Sequence, residues 1–157
     1  MGLDQYLYAE RYYSDAEWRD DATRATYNEI LKLVDAEDYK VDFPEGVPSA
    51  TVRINVGTWR KANQVHQWFV DTVQDGVDNC RNYYVDRSQL EELRDVCKAV
   101  LADHSLADEM LPTATGFFFG STEYDEWYFR DLEWTVALID KALTMPDNWQ
   151  FEYGSSW

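Results

Sequence analysis

At 157 residues the chain has the length of one ordinary domain, long enough to bury a real core and too short for two comfortable ones. With 45% hydrophobic and 16% aromatic residues, seven Trp and eleven Tyr among them, it carries far more buriable surface than disordered chains do. The formal charge of -16, thirty acidic against fourteen basic residues spread along the chain, disfavours a broad face for nucleic acid or anionic lipid but leaves room for a local pocket that holds one phosphate.

Residues 2–8 alternate, Leu3 and Leu7 against Asp4, Tyr6 and Tyr8, which predicts a half-buried strand. Ser14 with Glu17 has the S-x-x-E form of a capping box and predicts a helix to about Glu37, with an apolar stripe of Trp18, Ala22, Ala25, Ile30 and Leu33. Pro44, Gly46 and Pro48 make 38–50 a loop, expected to be mobile, without a domain boundary. Val52, Ile54 and Val56 alternate with Thr51, Arg53 and Asn55 as a second strand ending at Gly57. Thr58 is then the expected cap of a helix to about Gln74, with Trp59, Ala62, Val65, Phe69 and Val73 inward.

Tyr83 to Val85 reads as a short strand, and Asp86 with Gln89 caps a helix whose stripe is Leu90, Leu93, Val96, Cys97, Val100 and Leu101. Ser105 opens a turn closing at Leu111-Pro112. The three phenylalanines between Gly116 and Gly120 predict a buried strand, after which Ser121 or Thr122 caps a helix to about Leu143. Trp149, Phe151 and Tyr153 alternate as a final strand. The sum is an α+β fold in a single domain, about four amphipathic helices in one layer on a small sheet of four or five short strands.

Two of these junctions carry residues suited to chemistry. In the 57–68 segment, Arg60 and Lys61 in the first turn of a helix would join its free N–H groups as an anion seat; the structural alternative is pairing with neighbouring carboxylates. His66, seven residues after Trp59, falls on the inward or boundary face, either as a hydrogen-bonded core residue or as a ligand contact and proton carrier. Its natural partner is Asp131, on a stripe with Tyr124, Trp127, Trp134 and Leu138, where a carboxylate among aromatics must find a donor or shift its pKa.

In the 116–131 segment, Glu123, Asp125 and Glu126 complement the helix dipole, and a magnesium site is disfavoured because consecutive carboxylates on a helix point apart. Glu126 and Arg130 read as a surface i,i+4 pair. Tyr124 and Trp127 are core aromatics or, if exposed beside Trp59, a stacking platform. Cys80, in a polar loop beside Arg81, is a thiol whose catalytic use would need His66 or His104 in reach; Cys97 lies on an apolar stripe and reads as core. Two Cys and two His make a closed zinc site unexpected, and no metal or cofactor is implied. The start MGLDQYLY lacks a secretory pattern and no apolar run nears the roughly 18 residues of a membrane span. A cytoplasmic protein with free thiols is therefore expected.

Gly2-Leu-Asp-Gln-Tyr-Leu7, Trp59-Arg-Lys-Ala-Asn63 with His66 and Trp68-Phe-Val70, and Leu111-Pro-Thr113 through Gly116 to Tyr128 together resemble a family of small acidic proteins of bacteriophages and bacteria with no established activity. The resemblance implies a phage or prophage accessory setting, and the host cytoplasm as location. There, small proteins blunt host defence by sequestering a nucleotide signal or blocking an enzyme.

The leading expectation is a non-catalytic protein that binds a small anionic planar ligand, nucleotide-like, where the two junctions meet. Arg60 and Lys61 would take the phosphate, Asn63 and His66 give polar contacts, Trp59, Tyr124 and Trp127 stack, and Asp131 join the site. A second is an acidic inhibitor or nucleic-acid mimic that blocks a host protein, its charge competing with solubility or salt adaptation as explanations. The high-salt reading draws on Asp outnumbering Glu and on only five Lys. A third is a small enzyme using His66 with Asp131 or Cys80.

Overall fold

The computed structural model describes residues 2–39 and 47–157, and of Tyr39 the backbone only. The chain divides into two units, Met1–Ala9 with Ile54–Trp157, and Glu10–Arg53. The strands β1 (Asp4–Ser14), β2 (Ser49–Arg60), β3 (Tyr83–Val85) and β4 (Gln150–Ser156) form one antiparallel sheet in the order β2-β1-β4-β3. Five helices accompany it among the described residues, α1 (Asp21–Leu33), α2 (Asn63–Thr72), α3 (Arg87–Ala102), the single turn α4 (Ala107–Met110) and α5 (Glu126–Ala142). The fold is small α+β, and no helix of the described residues is long and apolar enough to cross a membrane.

In the larger unit, alternation places Gln5, Leu7 and Ala9 of β1 inward, while Tyr6 and Tyr8, two residues apart on the other face, stack at 5.9 Å. Strand β4 does the same with Phe151 and Tyr153, and β3 pairs with it in register Tyr83 to Tyr153 and Val85 to Phe151. Onto these residues pack Val65 and Phe69 of α2, Leu90, Leu93, Cys97 and Val100 of α3, and Leu132, Leu138 and Ile139 of α5. The expected Asp86–Gln89 capping box starts α3.

Three predicted boundaries move. Strand β2 does not stop at Gly57 but runs to Arg60, and α2 begins at Asn63 with no side-chain cap, so Thr58 caps nothing. Thr58 and Trp59 are strand formers, and the missing side chain of Gly57 lets Leu138 of α5 approach: a Cβ there would land on the Leu138 isobutyl group. Gly116 to Gly120 is a turn, not a buried strand. It closes through Phe119 N to Gly116 O at 3.2 Å and leaves Phe117 93% exposed. Helix α5 is capped by Asp125, whose Oδ1 accepts from Trp127 N at 3.0 Å and Tyr128 N at 3.1 Å, not by Ser121 or Thr122. Its buried stripe is accordingly Tyr128, Leu132, Thr135, Ile139 and Ala142; of the predicted stripe only Leu138 is buried, and Trp127 is 68% exposed.

In the smaller unit, β1 continues through the strand formers Tyr12 and Tyr13, so Ser14 ends a strand, buried, and does not open a helix. Helix α1 is capped six residues later by Asp20, which accepts from the Thr23 amide and hydroxyl, both at 2.8 Å. These bonds, the amide's first, hold its carboxyl below the usual range. Tyr27 is the buried residue of α1, whereas Trp18 and Leu33 of the predicted stripe are exposed. Arg24–Asp15 at 3.2 Å and Arg53–Glu10 at 3.0 Å are ion pairs of this unit. Of the loop expected at 38–50, residues 40–46 lie outside the described residues; Glu37–Tyr39 is a 3-10 turn and Ser49 already begins β2.

Candidate functional site

Where β2 ends, the chain turns through Lys61 in the left-handed region, φ 62°. For a residue with a side chain that conformation costs about 1 kcal/mol, and it is held by Lys61 N to Leu3 O at 2.8 Å and Asn63 N to Lys61 O at 2.9 Å. Gly120, φ 91°, sits against the Lys61 stem; a Cβ there would come within 3.1 Å of Lys61 Cβ. Asn63 then fastens the 114–121 loop. Its Nδ2 donates to Phe119 O at 3.0 Å and Ser121 O at 2.8 Å, and its Oδ1 accepts from Ala114 N at 2.9 Å. The side chain is buried and fully used, so Asn63 is the staple of the loop.

This arrangement opens a cleft of about 300 Å³. Arg60, Lys61 and Gln64 line it from the end of β2 and the start of α2, and Gly120, Ser121 and Glu123 from the stapled loop. Helix α5 contributes Asp125, Trp127, Tyr128 and Asp131. The two segments of separate sequence thus bring Arg60, Lys61, Trp127 and Asp131 to one cleft. Arg60 is mostly exposed, with Asp4 at 3.7 Å, and Lys61 has no ion pair among the described residues. The Arg130 guanidinium lies 5.5 Å from the Trp127 ring centroid, so Arg130 is used in a cation–π contact and not in the expected pair with Glu126.

Asp131 is the most perturbed acid of the cleft. Burial raises its carboxyl to about 6, the Asp125 charge adding to this, while the Gln64 hydrogen bond and Arg130 oppose it. Gln64 is itself buried; its Nε2 reaches Tyr128 O and Asp131 Oδ2, both at a long 3.5 Å.

The other four expected site residues stand elsewhere. Trp59 is buried, its Nε1 donating to Thr135 Oγ1 at 2.8 Å, so its ring is core. Tyr124 donates its hydroxyl to Asp108 Oδ1 at 2.8 Å. His66 is sealed, with Nδ1 2.7 Å from the Tyr153 hydroxyl, Nε2 3.0 Å from Asp78 Oδ2 and the Phe119 ring edge-on at 5.2 Å. Its carboxylate partner is therefore Asp78 and not Asp131. Asp78 is also bonded by Trp157 Nε1 at 3.1 Å, and the Tyr153 hydroxyl is pushed well up by burial first and the nearby Asp78 and Cys80 charges second. Cys80 is exposed and Cys97 buried, the latter's thiol raised to about 12 by desolvation, as suits a core cysteine.

No family model matches the chain, and no curated protein or solved structure matches it.

A second hollow, about 430 Å³ beside Arg87, Asp147, Trp149 and Phe151, is larger but chemically spent. The Arg87 guanidinium donates to the carbonyls of Leu143, Met145 and Pro146 and covers the Phe151 ring. Gln64 is one of the cleft residues that sequence reasoning missed, with Gly120, Ser121, Glu123, Asp125 and Tyr128. It lies between two positions of helical spacing and carries no motif; only the packing of α5 against α2 turns its amide toward Asp131.

Proposed function

We propose that this protein binds a small, planar, anionic ligand of nucleotide type in the 300 Å³ cleft, without transforming it. The observation that carries the reading is the meeting of two cations, Arg60 and Lys61, with an exposed indole, Trp127, and a desolvated carboxylate, Asp131, in one concavity. The cations take the anionic group and the indole stacks the ring, while the volume, at the lower end of small-molecule sites, suits a mononucleotide. In the phage-type setting that the sequence resembles, such a protein sequesters a nucleotide signal. Catalysis draws no support from the cleft: His66 is outside it, with both ring nitrogens taken.

Calorimetric titration with nucleoside monophosphates and the matching nucleosides tests the reading. Binding of the monophosphates, weakened by about tenfold or more on Arg60→Ala with Lys61→Ala, is expected from the loss of two charge-assisted contacts. Absence of heat and of thermal stabilisation with every nucleotide ends it.

The charge of -16 favours a second reading, an acidic inhibitor whose carboxylates meet a basic host protein. It requires complex formation that weakens steeply with salt.

A further inference from the structure

Resting on the second reading, the outer face of α5 gives a basic partner its place to sit. We propose that Trp127, Arg130, Trp134 and Ala137 form a docking seam for an amphipathic helix of another protein, one whose flanks carry Arg or Lys to meet Glu126 and Glu133.

A surface helix that buries one stripe ordinarily turns a polar face to water. Helix α5 buries Tyr128, Leu132, Thr135 and Ile139, yet on the side turned away from them it shows solvent two indoles, Trp127 at 68% exposure and Trp134 at 48%. Arg130 and Ala137 are exposed as well, and the four follow one another at spacings of three, four and three residues. That is the heptad pattern on which two helices pack, here on a face left open to water.

Seven residues advance a helix by about 10.5 Å, so the two indoles stand in one row about two turns apart. Lone exposed rings are ordinary on a protein surface, but a row of Trp and Arg at heptad spacing has the composition of an interface centre. Both rings are also held: Trp134 Nε1 donates to Thr58 O at 2.9 Å, and the Arg130 guanidinium lies over Trp127. A platform fixed in advance loses little entropy when a partner covers it.

Charge names the occupant. Glu126 and Glu133 repeat with the same seven-residue step along one flank of the seam, both exposed. Neither makes an ion pair among the described residues, Arg130 being turned to the Trp127 ring. In paired helices such flanking positions choose the partner by ion pairs across the seam, so two carboxylates there ask for two cations. A second copy of the chain would set these acids against its own, at a charge of -16 apiece, and is disfavoured on that ground.

The test is a calorimetric titration of the full chain with two synthetic peptides of equal composition, each about three heptads long. One carries Leu at the two seam positions of each heptad and Arg at the flanking ones; the other has that order scrambled. The first should bind at least about tenfold more tightly, and its binding should weaken as salt rises. Glu126→Gln with Glu133→Gln, which leaves the described contacts of α5 intact, should weaken it about tenfold. Trp127→Ala with Trp134→Ala, checked for its fold by circular dichroism, should bring it down to the scrambled peptide with no change of net charge. Phe117→Ala, at an exposed ring outside α5, should leave it unchanged. Equal binding of the two peptides, or a preference that survives either double variant, overturns the seam and leaves the acidic reading standing. Dimerisation of the chain alone in sedimentation, abolished by the double Trp variant, overturns it in favour of a second copy. Binding of neither peptide removes both.

Discussion

Asp131 concentrates what a single residue decides here. It sits on the boundary of α5, covered enough to lose part of its water, with one distant donor, Gln64, among the described residues in return. Its carboxyl titrates near 6 in the folded chain against an ordinary 3.8. Between those values the native state holds a proton that the unfolded chain has released, so stability falls as pH rises through this window and is level above it. Asp131→Asn should therefore match the parent near pH 4 and exceed it at pH 7, as read from urea midpoints across that range. A difference independent of pH would show that the carboxyl carries no such burden. His66 presents the opposite case. Its two nitrogens are met by Tyr153 and Asp78, and the histidine is a satisfied core residue.

At the scale of elements, the position of β2 relative to α5 places the cleft. Were the strand to end at Gly57, Arg60 and Lys61 would ride on the first turn of a helix; because it continues, they form its exit turn, and α2 starts later. The continuation depends on Gly57 and Leu138 sharing one volume. Gly57→Ala should cost about 1–3 kcal/mol through overpacking of a buried, branched neighbour, and Leu138→Ala about 2–5 kcal/mol. The double variant should lose clearly less than the sum, because the smaller residue at 138 makes room for the methyl group. Urea unfolding of the four proteins measures this, and strict additivity would refute the shared-volume account. The helix starts obey the same logic of local competition. At α5 and α1 an Asp whose side chain accepts two bonds, Asp125 and Asp20, displaced the Ser or Thr that the motif suggested, since a carboxylate interacts more strongly with the positive end of the helix.

For the whole molecule the governing quantity is the excess of thirty acidic over fourteen basic side chains. Few cations stand against them. Arg94 is shared between Asp95 at 3.0 Å and Asp140 at 3.5 Å, and Lys98 reaches the same Asp140 at 3.4 Å. Surface pairs of this kind contribute little, so unbalanced repulsion remains and favours expansion. Raising salt from about 0.01 M to about 1 M shortens the screening length from ~30 Å to ~3 Å. The urea midpoint should rise over that interval with an unchanged m-value. A flat response would mean that the carboxylates are too dispersed to matter.

What the sequence determined by itself was whatever depends on neighbours along the chain: the α+β class, the inward alternation of Leu3, Leu7, Phe151 and Tyr153, the capped α3 with its apolar stripe, and Cys97 as core. Periodicity and capping act over four residues, and a linear pattern records them. Tertiary structure alone decided which of two stripes on α5 is buried, that Gly57 lies within a strand, that the Phe117 segment is a turn, and that His66 meets Asp78. Each of these was settled by a group from a distant part of the chain, Leu138 against Gly57 or Asn63 against the 114–121 loop. The convergence of Arg60 and Lys61 with Trp127 and Asp131 is of the same kind, because a cleft is made by elements packing together and by no one of them.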